Sequence, residues 1–172
     1  MHTHIISLLV EDHPGVLTRM SGMFTMRGIN ITSLTVSPCE KEGLSRMTVA
    51  IEGSESELEQ VRKQISNLIE VVKVVDLAEK KAIIRDLCLM KVHVKDPNSR
   101  STVMQLAESY GAKIVDATLE SLIIELTEEP KTIDRFLELM KHFGVKQSFR
   151  TGVTAIGIGV GIGVGAGGGF EK

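Results

Sequence analysis

The sequence predicts an α+β chain built from two consecutive β-α-β-β-α-β units. Three observations predict it. Residues 5–77 alternate β-branched runs with two amphipathic segments, the same order returns after residue 82, and a polar stretch, Ala78-Glu79-Lys80-Lys81, lies between. A chain of 172 residues has room for two domains of this size. The expected division is a first domain at 1–78, a linker at 79–82, a second domain at 83–156 and a Gly-rich tail at 157–172.

Each element has a local reason. The apolar run at 5–10 reads as a strand, and Pro14-Gly15 as a tight turn after it. From Val16 onward, Val16, Leu17, Met20, Met23 and Phe24 follow the rhythm of one helix face, with Met26 off it. Gly28 sits where a left-handed residue ends a helix. Residues 29–37 alternate, with a change of phase near Thr32-Ser33 that predicts a bulge. The turn at 40–43 joins them to a strand at 44–51 as a hairpin. Ser54 and Glu57 have the spacing of a capping box, and Leu58, Val61, Ile65 and Leu68 mark the buried face that follows. Residues 71–77 supply the last strand of the unit. Four antiparallel strands with two helices on one face is the ferredoxin-like arrangement.

The second half repeats the order. Residues 84–94 read as a strand, and Asp96-Pro97-Asn98-Ser99 as a capped turn. Val103, Met104, Leu106, Ala107 and Tyr110 predict a helix that Gly111 stops. A hairpin at 113–127 turns at Glu120-Ser121, and a helix starts near Pro130 with Ile133, Phe136, Leu137 and Met140 as its apolar face. Gly144 ends it, and 145–156 is expected as one closing strand region. Nine glycines between Gly152 and Gly169 alternate with Ile, Val and Ala. Glycine costs about 1 kcal/mol per residue in a helix, so this stretch predicts a strand end and a loose tail instead of a membrane span.

Composition excludes several classes. Charged residues are 24% of the chain, the net charge is −2, and aromatics are 3% with no Trp, so stacking platforms for nucleic acid are missing. Cys39 and Cys88 form no metal or disulfide spacing and read as small buried hydrophobes. The N-terminal run lacks a basic leader, and a cytoplasmic location is expected. His2 and His4, two apart on a strand, read as a solvated pair without a third ligand for a metal. His13 has no orienting partner or nucleophile in view, and the acidic residues read as solvated or capping, so no catalytic constellation is expected.

The most informative stretch runs from Glu11 to Ile31. A helix starting at about Gly15 leaves its first amide N–H groups without partners, a positive pocket suited to a carboxylate. Gly15 lacks a Cβ, so a ligand can approach the backbone. Asn30 offers an amide for a polar group.

Leu8 to Ile31, and above all Asp12-His13-Pro14-Gly15-Val16-Leu17 and Arg27-Gly28-Ile29-Asn30-Ile31, resembles an ACT domain. The strings Ser33-Leu34-Thr35-Val36, Leu44-Ser45-Arg46-Met47-Thr48 and Leu68-Ile69-Glu70-Val71-Val72-Lys73-Val74 narrow the resemblance to the regulatory (small) subunits of acetohydroxyacid synthase, or acetolactate synthase. Arg85-Asp86-Leu87-Cys88-Leu89-Met90-Lys91-Val92, Lys113-Ile114-Val115-Asp116 and Arg150-Thr151-Gly152-Val153 agree in the second half. The resemblance covers residues 2–156 and leaves the tail outside.

It implies a non-catalytic subunit that binds a catalytic large subunit, activates it and confers feedback inhibition by valine or another branched-chain amino acid. It implies a homodimer through the ACT domains, a dimerising second domain, and an effector held by Asp12, His13, Gly15, Val16 and Leu17 of one copy with Asn30 and Ile31 of the other. No cofactor is expected in this chain; thiamine diphosphate, FAD and magnesium would belong to the catalytic partner. Asp12 departs from the family pattern, where Asn is frequent: it would attract an ammonium and repel a carboxylate. A free-standing amino-acid sensor acting on another enzyme or a transcription factor is the alternative reading.

Overall fold

A computed structural model of the chain describes residues 2–77 and 81–158. These fall into two compact units, one of residues 2–83 with 153–158 and one of residues 84–152. The tail beyond residue 158, with most of its glycines, and linker positions 78–80 lie outside the described residues.

The first unit runs β1 (His2–Glu11), α1 (Val16–Met26), β2 (Ile31–Pro38), β3 (Leu44–Gly53), α2 (Glu55–Ser66) and β4 (Val71–Asp76). Its sheet has the antiparallel order β2-β3-β1-β4, with β2 and β4 outermost. Ile6, Leu8 and Val10 of β1 and Met47, Val49 and Ile51 of β3 form one face of the sheet, and Val16, Met20, Met23 and Phe24 of α1 pack into the same core. Alternation of period two and helix spacing of 3.6 converge on one apolar layer, which is why both were legible in sequence. The bulge lies between Ile31 and Ser33, as the phase change predicted. Met26 is 81% exposed, as its place off the stripe implies.

The second unit repeats the plan with β5 (Ala82–His93), α3 (Pro97–Ser109), β6 (Lys113–Ala117), β7 (Ser121–Glu128), α4 (Pro130–Lys141) and β8 (Val145–Arg150), in the sheet order β6-β7-β5-β8. Cys88, Met90 and Val92, with Leu122, Ile124 and Leu126, pack against Val103, Ala107, Ile133, Phe136 and Met140. Tyr110 and Phe136 rings meet at 4.9 Å between centroids.

Four expectations need correction. The closing strand is two strands: β8 ends at Arg150, Gly152 turns the chain with φ 90°, and β9 (Thr154–Gly157) pairs with β5 while its residues group with the first unit. The reason is side-chain chemistry, since Val153 N–H donates to Ser33 Oγ at 2.7 Å and Thr35 Oγ1 donates to the Val153 carbonyl at 2.9 Å. His4 is not solvated; it is 3% exposed and its Nε2 has no hydrogen-bond partner. Cys88 is fully buried, but Cys39 is only half-buried and sits in a turn against Lys41. Met104 points outward from α3, 46% exposed.

Two helices carry capping boxes. Ser54 Oγ accepts from Glu57 N–H while the Glu57 carboxylate accepts from Ser54 N–H, and Asp96 and Ser99 exchange the equivalent bonds at α3. Backbone and side-chain hydrogen bonds from Ser54 hold the Glu57 carboxyl below its ordinary value of 4.5, and a backbone bond from Ser99 holds Asp96 below 3.8. A depressed carboxyl contributes stability that is complete above those ordinary values and is lost as pH falls through the folded-state value. The melting temperature should therefore fall on acidification below about pH 4.5. That slope should be shallower in Glu57→Gln, which keeps an acceptor but does not titrate; an unchanged slope in thermal melts would refute the assignment.

Candidate functional site

The end of β1 is held in place by main-chain bonds. Glu11 N–H donates to the Glu70 carbonyl at 2.8 Å, and Asp12 N–H to the Gly43 carbonyl at 2.9 Å. The chain then turns through His13, Pro14 and Gly15, and Gly15 adopts φ 96° and ψ −16° at the helix N-cap. That left-handed conformation is open to glycine and costly for side chains with a Cβ.

The start of α1 differs from those of α2 and α3. It has no side-chain cap, a feature it shares with α4. Arg19 N–H makes the first helical bond, to the Gly15 carbonyl at 3.0 Å, and among the described residues no acceptor serves the N–H groups of Leu17 and Thr18. Free amides and the positive end of the helix dipole thus face the surface beside an open Gly15. No atom lies within 4 Å of where a Gly15 Cβ would stand.

Of the sequence-predicted residues, Asp12, His13 and Gly15 are exposed around this turn. His13 Nε2 lies 3.2 Å from a Glu11 carboxylate oxygen, and its Nδ1 lies 3.1 Å from the Pro14 carbonyl. Val16 is buried in the core, whereas Leu17 is 48% exposed, so Leu17 is the accessible apolar side chain. Two contributors were not anticipated. Arg19, one turn into α1, pairs with Glu70, whose side chain is only 7% exposed. This ion pair fastens the first turns of α1 to the loop before β4. Only a contact across 51 residues reveals it, so no local pattern could have.

Asn30 and Ile31 stand elsewhere. Ile31 pairs with Ile51, which in turn faces His4, while Glu11 faces Leu44 at the other end of β1. Seven residues of strand, about 24 Å at 3.4 Å each, separate the two levels. The turn and Asn30 therefore occupy opposite ends of the unit. One chain does not bring them together. Asn30 is exposed, and Ile31 is half-buried against the first core.

No group of three His, Cys, Asp or Glu side chains able to hold a metal ion occurs among the described residues. Nor is any described helix long and apolar enough to cross a membrane. A groove away from the turn, between α3 and β6, is lined by Arg100, Met104, Gln105, Ala112 and Ile114. It carries no cluster of reactive side chains.

A βαββαβ unit with a glycine turn after β1 and an uncapped first helix defines an ACT-type domain. Residues 6–73 match the model of the acetohydroxyacid synthase small-subunit-like ACT domain, and residues 85–159 that of the acetolactate synthase small subunit. A probable acetolactate synthase small subunit of Methanothermobacter thermautotrophicus is 45% identical, over 90% of this chain and 92% of that protein. The small subunit of Mycolicibacterium smegmatis is 39% identical over 90% of each. The crystal structure of the Thermotoga maritima small subunit matches with a TM-score of 0.82 at 34% identity, covering 91% of this chain and 98% of that one. The chain belongs to the acetolactate synthase small-subunit family.

Proposed function

We propose that this chain is the non-catalytic regulatory subunit of an acetolactate synthase. It binds a catalytic large subunit, raises its activity, and makes it answer to valine or another branched-chain amino acid. Thiamine diphosphate, FAD and magnesium belong to that partner in this reading. The observation that carries it is the open start of α1, with free Leu17 and Thr18 amides beside Gly15.

The site is completed by a second copy. β2 is an outer strand with an unpaired edge. Antiparallel pairing of two such edges brings Ile31 of one copy beside Pro38 of the other. Pro38 faces Ser45, the neighbour of the Leu44 that pairs with Glu11, so this is the end where the turn lies. The helix-start amides receive the effector carboxylate, and the Asn30 side chain bonds its polar end across the interface. Leu17 and Ile31 line the apolar side chain. Asp12 is exposed at the turn and favours the ammonium, which compensates for its unfavourable effect on the carboxylate.

An amino acid held between two copies stabilises one mutual orientation, and the difference in its affinity for two orientations is what the catalytic subunit senses. A coupling of about 1–3 kcal/mol corresponds to 5- to 150-fold modulation. Reconstitution with the catalytic subunit, assaying acetolactate formation with and without valine, tests the whole reading. A chain that neither activates nor changes the response to branched-chain amino acids would rule it out. Asn30→Ala should weaken effector binding by about 1.5–3 kcal/mol, the worth of a hydrogen bond to a charged group. Its melting temperature should hardly change, because Asn30 is exposed. Unchanged affinity by calorimetry would remove Asn30 from the site.

A further inference from the structure

Three titratable side chains, Glu11, Asp12 and His13, stand in a row and exposed at the turn before α1. The His13 ring meets an oxygen with each of its nitrogens: Nε2 lies 3.2 Å from the Glu11 carboxylate and Nδ1 3.1 Å from the Pro14 carbonyl. Carbonyl and carboxylate oxygens only accept hydrogen bonds. A neutral imidazole has one N–H and one lone pair, so it would set a lone pair against one of these oxygens. The imidazolium donates to both. The geometry is that of a protonated ring.

The charge matters at this place. Glu11 and Asp12 put two carboxylates on the turn that leads to the free amides of Leu17 and Thr18, and like charges oppose an incoming carboxylate. Other charged groups border the turn. Asp12 N–H is bonded to Gly43 of the β2–β3 turn, which carries Lys41 and Glu42. Glu11 N–H is bonded to Glu70, whose carboxylate Arg19 pairs. Histidine is the one side-chain type among them that ordinarily changes charge near neutral pH.

We propose that His13 makes the effector site proton-linked: its imidazolium, held between Glu11 and the Pro14 carbonyl, offsets the carboxylates of the turn, so the protonated turn binds an amino-acid carboxylate more tightly than the neutral one. This rests on the reading of the turn as the effector site and adds to it a dependence on pH. Affinity is highest where the ring is protonated and falls as pH rises and the proton leaves. By reciprocity the bound amino acid favours the protonated ring, so binding takes up protons.

The test is calorimetry on the full chain with valine, leucine and isoleucine, between about pH 5 and 8, the interval in which histidine changes charge. Affinity should fall about fivefold across it, the effect of a unit charge about 4 Å away in bulk water. His13→Gln should bind with the weaker affinity throughout. Glu11→Gln, whose amide can donate to a neutral ring, should move the fall to lower pH. Isovalerate, which keeps the carboxylate and lacks the ammonium, should show the same slope and so assign it to the carboxylate. A flat profile in the wild type, or a slope that survives in His13→Gln, would overturn the proton link and leave the effector site standing. No binding of any of the three amino acids at any pH would overturn the effector site, and the proton link with it.

Discussion

A chain carrying Gly15→Asp is expected to lose amino-acid inhibition while still activating the catalytic subunit. The backbone there has φ 96°, so any side chain costs about 1 kcal/mol, less for Asp than for most residues. No atom within 4 Å obstructs the new Cβ, so the fold should persist. The new carboxylate would stand beside the free amides of Leu17 and Thr18 and act as a tethered competitor for the effector's own carboxylate. Loss of a coupling of about 1–3 kcal/mol would move the inhibition curve by 5- to 150-fold or abolish it. Inhibition at the original valine concentration, in an enzyme activated normally, would show that the turn does not hold the effector.

The second large effect belongs to stability. Asp86 is 2% exposed on β5, and Arg150 of β8 pairs with it at 2.5 Å and reaches Asp134 of α4 with its other nitrogen at 2.5 Å. Thr151 Oγ1 adds a contact to Asp86 at 3.4 Å. Burial disfavours the Arg150 charge, but hydrogen bonds to Asp86 and then Asp134 more than offset it, raising the guanidinium above its ordinary value. The charge is therefore kept at every pH at which the protein folds. Arg150→Met should strand a buried carboxylate. We expect a loss of about 3 kcal/mol, the lower end for a broken buried pair, since the Arg150 side chain is 30% exposed. For a unit of this size that is roughly a 10–20 °C fall in melting temperature. The double change Asp86→Leu with Arg150→Met should recover most of it, because an apolar pair leaves no charge unpaired. Equal melting of the wild type and Arg150→Met chains would refute this account.

Legibility in the sequence followed distance along the chain. The capping box at Ser54 and Glu57, the bulge at Thr32-Ser33 and the glycine turn at Gly15 are each set by neighbours within a few residues. Their geometry could be written down before any contact was known. The apolar stripes of α1 and α4 were equally plain, apart from Leu17, which belongs to the stripe by spacing and yet remains accessible. Arg19 with Glu70, and Asp86 with Arg150 and Asp134, were invisible, because each pairing joins residues from separate elements.

By itself the sequence determined the two βαββαβ units, their order, and the unusual first turn, since periodicity and turn chemistry are local properties of the chain. The tertiary structure alone decided that the chain after Gly152 groups with the first unit, where Val153 N–H donates to Ser33 Oγ and the Val153 carbonyl accepts from Thr35 Oγ1. It alone decided that Asn30 stands at the opposite end of its sheet from Gly15. Strand register, not composition, fixes that separation, and it is the physical reason a site built from both residues needs two copies of the chain.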